Sequence, residues 1–145
     1  MGYNWNWGVF LQPAASGGDT YLGWMFHGFK TTIALSLSAW LIALAVGAVV
    51  GVLRTVPNKW LSGLATAYVE IFRNIPLLVQ LFLWYFVMPE LLPESLGNAF
   101  KQSNPFMQQF LSSMICLALF TSARVAEQVR SGINSLPRGQ KNAAL

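Results

Sequence analysis

Along the chain, long apolar stretches alternate with short segments that carry nearly all of the charge. Lys30 and Arg54 bracket an uncharged run from Thr31 to Leu53, Arg73 and Glu90 bracket Asn74 to Pro89, and Lys101 and Arg124 bracket Gln102 to Ala123. A membrane-spanning helix needs about 20 residues. The first run reaches that length alone. The second reaches it once Tyr68 to Arg73 serve as its interfacial end, and the third contributes its apolar part from Phe106 onward. The pattern predicts an all-α integral membrane helix bundle with three transmembrane helices, at about 31–53, 68–88 and 106–124.

Composition agrees. Of 145 residues, 54% are hydrophobic and only 10% charged, against about 25% charged in an average soluble domain. So few charges do not cover a water-exposed surface. The first run is too long for the apolar part of a signal peptide, and about 30 residues precede it, so it reads as a retained helix. Lys and Arg then set the orientation. Arg54, Lys59 and Arg73 flank the first turn-around, and Arg124, Arg130, Arg138 and Lys141 fill the tail, whereas the opposite side holds only Lys30 and Lys101. The N-terminus is expected on the outer side of the membrane and the tail in the cytoplasm. This bias accounts for the net charge of +4. No basic cluster interleaves with aromatics, so a nucleic-acid partner is not indicated.

Residues 1–30 are rich in aromatics, with Trp5, Trp7, Phe10, Tyr21, Trp24 and Phe26 among them. Trp and Tyr favour the headgroup level, so this reads as a periplasmic, interfacial segment, with a disordered aromatic tail as the alternative. The first helix carries Ala39, Ala43, Gly47 and Gly51 at spacing four. Such a stripe lets a second helix approach closely, although Ala and Gly are common enough in spanning helices to produce it by chance. Glu70 and Arg73 stand at the mouth of the second apolar run, with Asn74, Pro76 and Gln80 just inside. Charge at that depth is placed for function or for topology. The plainer reading is an i,i+3 surface pair. Pro76 predicts a broken, polar cytoplasmic end to this helix. Residues 89–101 read as an outer loop with two prolines. Glu127 has Arg124 and Arg130 three residues away on either side, so the helix is expected to continue beyond the membrane. The segment 125–145 is cytoplasmic on this reading. Lys141 to Leu145 resemble the first turn of another helix, so the sequence is expected to be the N-terminal portion of a longer protein.

The chemistry of catalysis is missing. There is no GxxxxGK[ST] phosphate loop. His27 stands without Cys, His or a carboxylate cluster near it in sequence, and Cys116 is the sole cysteine. No metal site and no Ser-His-Asp set can be assembled, so the chain does not read as an enzyme.

Two motifs go beyond composition. Tyr68-Val-Glu-Ile-Phe-Arg-Asn-Ile-Pro-Leu-Leu-Val-Gln80 and Ala126-Glu-Gln-Val-Arg-Ser-Gly-Ile-Asn-Ser-Leu-Pro-Arg-Gly-Gln-Lys-Asn-Ala-Ala144 stand in order, separated by one outer loop and one helix. They resemble the E-x-F-R-G-x-P-x-L-V-Q stretch and the EAA loop of polar amino-acid permeases of ATP-binding-cassette importers, and the outer loop Pro89-Glu-Leu-Leu-Pro93 and the Asn-Trp-rich start look most like the glutamate/aspartate type. Asn74 replaces the usual Gly, Ser131 the first Gly of a pair, and Asn142 the Glu of E-A-A. Such permeases have about five spans, so the likeness covers this whole chain but only part of theirs.

The resemblance implies a permease subunit that is no enzyme and carries no cofactor, ATP being bound by separate ATPase subunits. The implied partners are an ABC ATPase dimer, a sister permease, a periplasmic amino-acid-binding protein and membrane lipid. It implies that Glu70, Arg73, Asn74, Pro76 and Gln80 line or brace the translocation path. It assigns Glu127, Arg130, Gly132, Gly139, Gln140, Asn142, Ala143 and Ala144 to the ATPase-docking loop, with Gly132 and Gly139 allowing it to bend. The competing function is a small membrane scaffold that packs through its Ala/Gly stripe and transports nothing.

Overall fold

A computed structural model describes residues 2, 4–15 and 17–137. Every regular element among them is helical. The chain divides into two compact units, the first ending at Ser36 and the second beginning at Leu37.

In the first unit, a short 3₁₀ turn at Trp7–Leu11 is capped by the Asn6 side chain, which accepts from the Gly8 N–H. The rings of Trp5, Trp7 and Phe10 stack in series. Gly17 and Gly18, at φ 76° and 94°, turn the chain so that Pro13 and Thr20 pair across a single bridge. Only glycine takes up such φ values without strain. The first long helix, α1 (Tyr21–Leu53), starts here and carries ten more residues before Thr31 than the charge-free run alone suggests. Its early positions are still apolar and aromatic, and Lys30 does not interrupt a backbone ladder.

In the second unit, α1 ends just before a short connection, and Asn58 opens α2 (Lys59–Asn74) by accepting from the N–H groups of Trp60 and Leu61. The sequence reading left 54–67 as a loop. The helix begins there because Asn58 caps it and its positions sort into three faces at helical spacing. The next helix, α3 (Leu77–Leu91), follows at 103° to α2. The 68–88 segment is therefore not one continuous rod. Pro76 carries no N–H and disfavours helical backbone at Ile75, which is extended at φ −85° and ψ 126°. Near its end α3 contains one wider, π-helical turn at Leu83–Val87, where Pro89 offers no donor to the Tyr85 carbonyl.

Residues 94–101, read as loop from the sequence, form a short helix, α4 (Glu94–Lys101). It turns back on the end of α3. Lys101 Nζ lies 2.6 Å from Glu90 Oε1, and Gly97 sits so close to the Pro89 carbonyl that a side chain there would collide with it. Asn104 caps α5 (Pro105–Ser135), with Pro105 at the first turn. The helix stops at Leu136 because Pro137 follows and holds Leu136 extended.

The buried centre of this unit is small-residue packing. Gly47 and Gly51 of α1 lie against Val125 and Val129 of α5, and Ala43 is fully buried. Gly47 faces Ser122 and Val125 while Gly51 faces Ala126 and Val129. The two helices therefore run parallel at this contact, and the intervening α2–α3 pair reverses the chain. Val69 of α2 sits on Ala123 and Ala126, with Val50, Tyr68 and Phe72 around them. Tyr68 Oη and Ser122 Oγ are 2.7 Å apart, which satisfies the one hydroxyl pair in that apolar setting. Two helices, α1 and α5, are long and apolar enough to cross a membrane, and the bent pair α2–α3 supplies a third crossing if counted as one span.

Candidate functional site

Two arrangements stand out, both on α2. The first is the elbow at Ile75–Pro76. In an unbroken helix the Phe72 carbonyl would receive the N–H of residue 76, which proline lacks. The Gln80 side chain takes that place. Its Nε2 donates to the Phe72 carbonyl at 3.0 Å and to the Ile75 carbonyl at 2.9 Å. Two carbonyl acceptors fix which end of the amide faces them. Gln80 is 3% exposed, and its Oε1 has no partner among the described residues. An apolar hollow of about 250 Å³ lies beside it, lined by Phe72, Ile75, Leu83, Trp84 and Val87 among others. Gln80 thus ties the last turn of α2 to the first turns of α3 across the bend.

The second is a charge cluster built on Glu127. Arg54, at the end of α1, pairs through Nη1 with Glu127 Oε2 and donates from Nε to Thr66 Oγ1 at 3.3 Å. Arg130 donates from Nη2 and Nε to Glu127 Oε1 at 2.7 and 3.1 Å. Arg73 Nη1 stands 3.7 Å from Oε2. One carboxylate therefore joins α1, α2 and α5. Arg54 is 8% exposed, Glu127 30% and Arg73 51%. Hydrogen bonds from Arg130 and then Arg54 hold the Glu127 carboxyl below the usual carboxylate range. Glu127 lies past Ala123, where the apolar run ends.

The sequence-selected residues divide between these places. Arg73 turns to Glu127 and not to Glu70, so the i,i+3 surface pair does not form. Glu70 and Asn74 are exposed on α2. Of the two arginines flanking Glu127 in sequence, Arg130 pairs with it, while Arg124 stacks over the Phe120 ring at 4.2 Å. Gly132 lies inside α5, which continues through it to Ser135. Pro137, not this glycine, ends the helix. Gly139, Gln140, Asn142, Ala143 and Ala144 lie outside the described residues. Arg54 and Thr66 were missed, because Arg54 was read only as a topology marker. His27 Nε2 lies 3.4 Å from Asp19 Oδ2, one carboxylate that its sequence neighbourhood did not reveal. No group of three metal-ligating side chains exists among the described residues.

The sequence of residues 43–145 matches the family of binding-protein-dependent transport system inner membrane components. The chain belongs to that family. Among proteins of this kind, it is 64% identical to the glutamate/aspartate import permease protein GltJ of Escherichia coli K12, over 100% of this chain and 59% of GltJ. It is 32% identical to the glutamate/aspartate import permease protein GltK of Escherichia coli O6:H1, over 86% of this chain and 54% of GltK. The probable glutamine ABC transporter permease protein GlnM of Bacillus subtilis is 38% identical over 81% of this chain and 49% of its own length. The chain thus spans about half to three fifths of these relatives. No solved structure matches it significantly. As an inner membrane component it is a membrane protein, and its uncovered apolar helices fit that setting.

Proposed function

We propose that the chain forms part of the permease subunit of an ATP-binding-cassette importer for polar amino acids, with glutamate and aspartate as substrates. The observation that carries this is the 64% identity to GltJ along the entire chain. The likeness to GltK supports a sister permease as partner. An ATPase dimer on the cytoplasmic side and a periplasmic amino-acid-binding protein on the other complete the assembly. The subunit moves substrate without catalytic residues or a cofactor of its own, and ATP is bound by the ATPase.

The N-terminus faces the periplasm and the ends of α1 and α5 the cytoplasm. The parallel course of these helices at Gly47 and Gly51, and the arginines at both ends, support this. Glu127 and Arg130 carry movement of the docking segment, residues 125–145, along α5. Through Arg54 and Arg73 the same carboxylate couples α5 to α1 and α2, so the helices shift as rigid bodies. Pro76 and Gln80 set the elbow that faces the path, with Glu70 and Asn74 on the exposed side of α2.

A chimeric GltJ carrying this chain in place of its matching segment tests the reading. In cells lacking GltJ it is expected to restore binding-protein-dependent uptake of labelled glutamate, with unlabelled aspartate competing. A chimera that inserts and assembles with its ATPase, yet takes up neither amino acid, overturns it.

A further inference from the structure

The three faces of α2 carry an inference beyond transport. One face, Ala65 and Val69, is buried. The opposite stripe, Trp60, Leu64 and Ile71 at helical spacing, is apolar and uncovered, with Trp60 84% and Leu64 70% exposed. The flank between them holds Lys59, Thr66, Glu70 and Arg73. At the end of that flank three guanidiniums share the Glu127 carboxylate, and Glu70, one turn before Arg73, is not paired with any of them, which leaves a net positive charge there. Arg54 is spent inside the protein, but Arg73 and Arg130 are 51% and 39% exposed. Arg73 holds Glu127 by a single long contact, and its remaining donors have no acceptor among the described residues, which leaves them for a second anion. A planar guanidinium matches a phosphate oxygen pair.

We propose that α2 lies along the membrane surface and that Arg73 and Arg130 together bind the phosphate headgroup of an anionic phospholipid, whose acyl chains cover the Trp60–Leu64–Ile71 stripe. Charge complementarity selects the headgroup, and the adjoining apolar stripe selects a lipid over a free anion. The 103° turn between α2 and α3 fits an in-plane helix followed by a crossing one. The inference rests on membrane placement only and is independent of what is transported.

The test uses the full chain purified in mild detergent and exposed to equal mixtures of phosphatidylglycerol and phosphatidylcholine, with retained lipid read by native mass spectrometry. Preferential retention of phosphatidylglycerol is expected. It should fall about fivefold for each arginine removed in Arg73→Gln and Arg130→Gln, with unchanged helicity by circular dichroism. Should either variant fail to fold, Arg73→Lys keeps the charge but loses the fork, and an intermediate loss is expected. Equal retention of the two lipids by the wild type overturns the proposal. So does retention unaffected by Arg73→Lys or by both glutamine variants. Displacement by millimolar inorganic phosphate marks a free-anion site, and protection of Arg73 from arginine-selective labelling only when the ATPase is added marks a protein contact. Either result also overturns it.

Discussion

Arg54 and Glu127, 73 residues apart in sequence, form the ion pair that joins the end of α1 to the C-terminal part of α5. Arg54 is almost wholly buried, so its charge depends on this partner and on Thr66. Glu127→Gln removes the only carboxylate that pairs with these three arginines among the described residues. It is expected to destabilise the protein by about 2 kcal/mol, less than a fully buried pair would cost because Glu127 keeps some contact with solvent. Arg54→Gln should cost a similar amount, and Arg73→Gln much less, given its exposure and 3.7 Å contact. Thermal unfolding of the detergent-solubilised protein measures all three. Equal effects at Arg54 and Arg73 would contradict the geometry.

The same carboxylate predicts a pH dependence. Its folded-state pKa lies below the unfolded value, through Arg130 first and Arg54 second. A depressed pKa contributes stability that is fully present above the unfolded value and is lost as pH falls through the folded one. The stability gap between wild type and Glu127→Gln should therefore be constant above about pH 5 and close progressively below the ordinary carboxylate value of about 4.3. Unfolding midpoints of the two proteins across that range test this. A gap that widens on acidification would show that Glu127 is not held ionised by its arginines.

The contact between α1 and α5 depends on two missing side chains. A Cβ on Gly47 would stand 2.6 Å from Val125 Cβ and 2.8 Å from the Ser122 carbonyl oxygen, and one on Gly51 would meet Val129 and the Ala126 carbonyl in the same way. Because backbone is among the obstacles, the helices must part. Gly47→Ala and Gly51→Ala are each expected to cost about 1–3 kcal/mol. Gly63→Ala and Gly132→Ala are the controls. Both sit within helices with nothing within 4 Å of the added atom, so they should be neutral or stabilise by up to about 1 kcal/mol.

The spans that met lipid on most sides were legible in the sequence, because an uncharged run is itself the physical requirement. One end of each long helix matches its uncharged run, Leu53 for α1 and Pro105 for α5, while the other ends extend past it into charged sequence, to Tyr21 and Ser135. α2 was hidden for the same reason. Its Lys59, Glu70 and Arg73 break any charge-free window, and only its three-faced spacing with the Asn58 cap marks it as a helix. The small-residue stripe at Ala39, Ala43, Gly47 and Gly51 pointed to a close neighbour but not to which one. That α5 fills it within the same chain follows from tertiary packing alone. Glu127 was noticed through its local arginines, yet two of its three partners come from other helices. Spacing along one helix carries no information about such pairs. Pro76 announced a break, and the contact of Gln80 with both carbonyls across it is visible only in three dimensions.

Gln80 and Pro76 yield the sharpest prediction. If the Gln80 amide replaces the donor that Pro76 lacks, the two residues are coupled through the Phe72 carbonyl. Gln80→Leu strands two part-buried carbonyls and should cost about 1–2 kcal/mol, with faster amide exchange across residues 72–80. Gln80→Glu should behave alike, since a carboxylate cannot donate to either acceptor. Pro76→Ala returns an N–H to position 76 and lets it compete for the Phe72 carbonyl. In that background Gln80→Leu should cost less, by about 1 kcal/mol in a double-mutant cycle. Spin labels on the exposed faces of α2 and α3 would report the angle itself. They should show a broader distribution of separations in Gln80→Leu than in the wild type. Strictly additive costs with an unchanged distribution would mean that the elbow is set by Pro76 and Ile75 alone, and that the glutamine is a passenger.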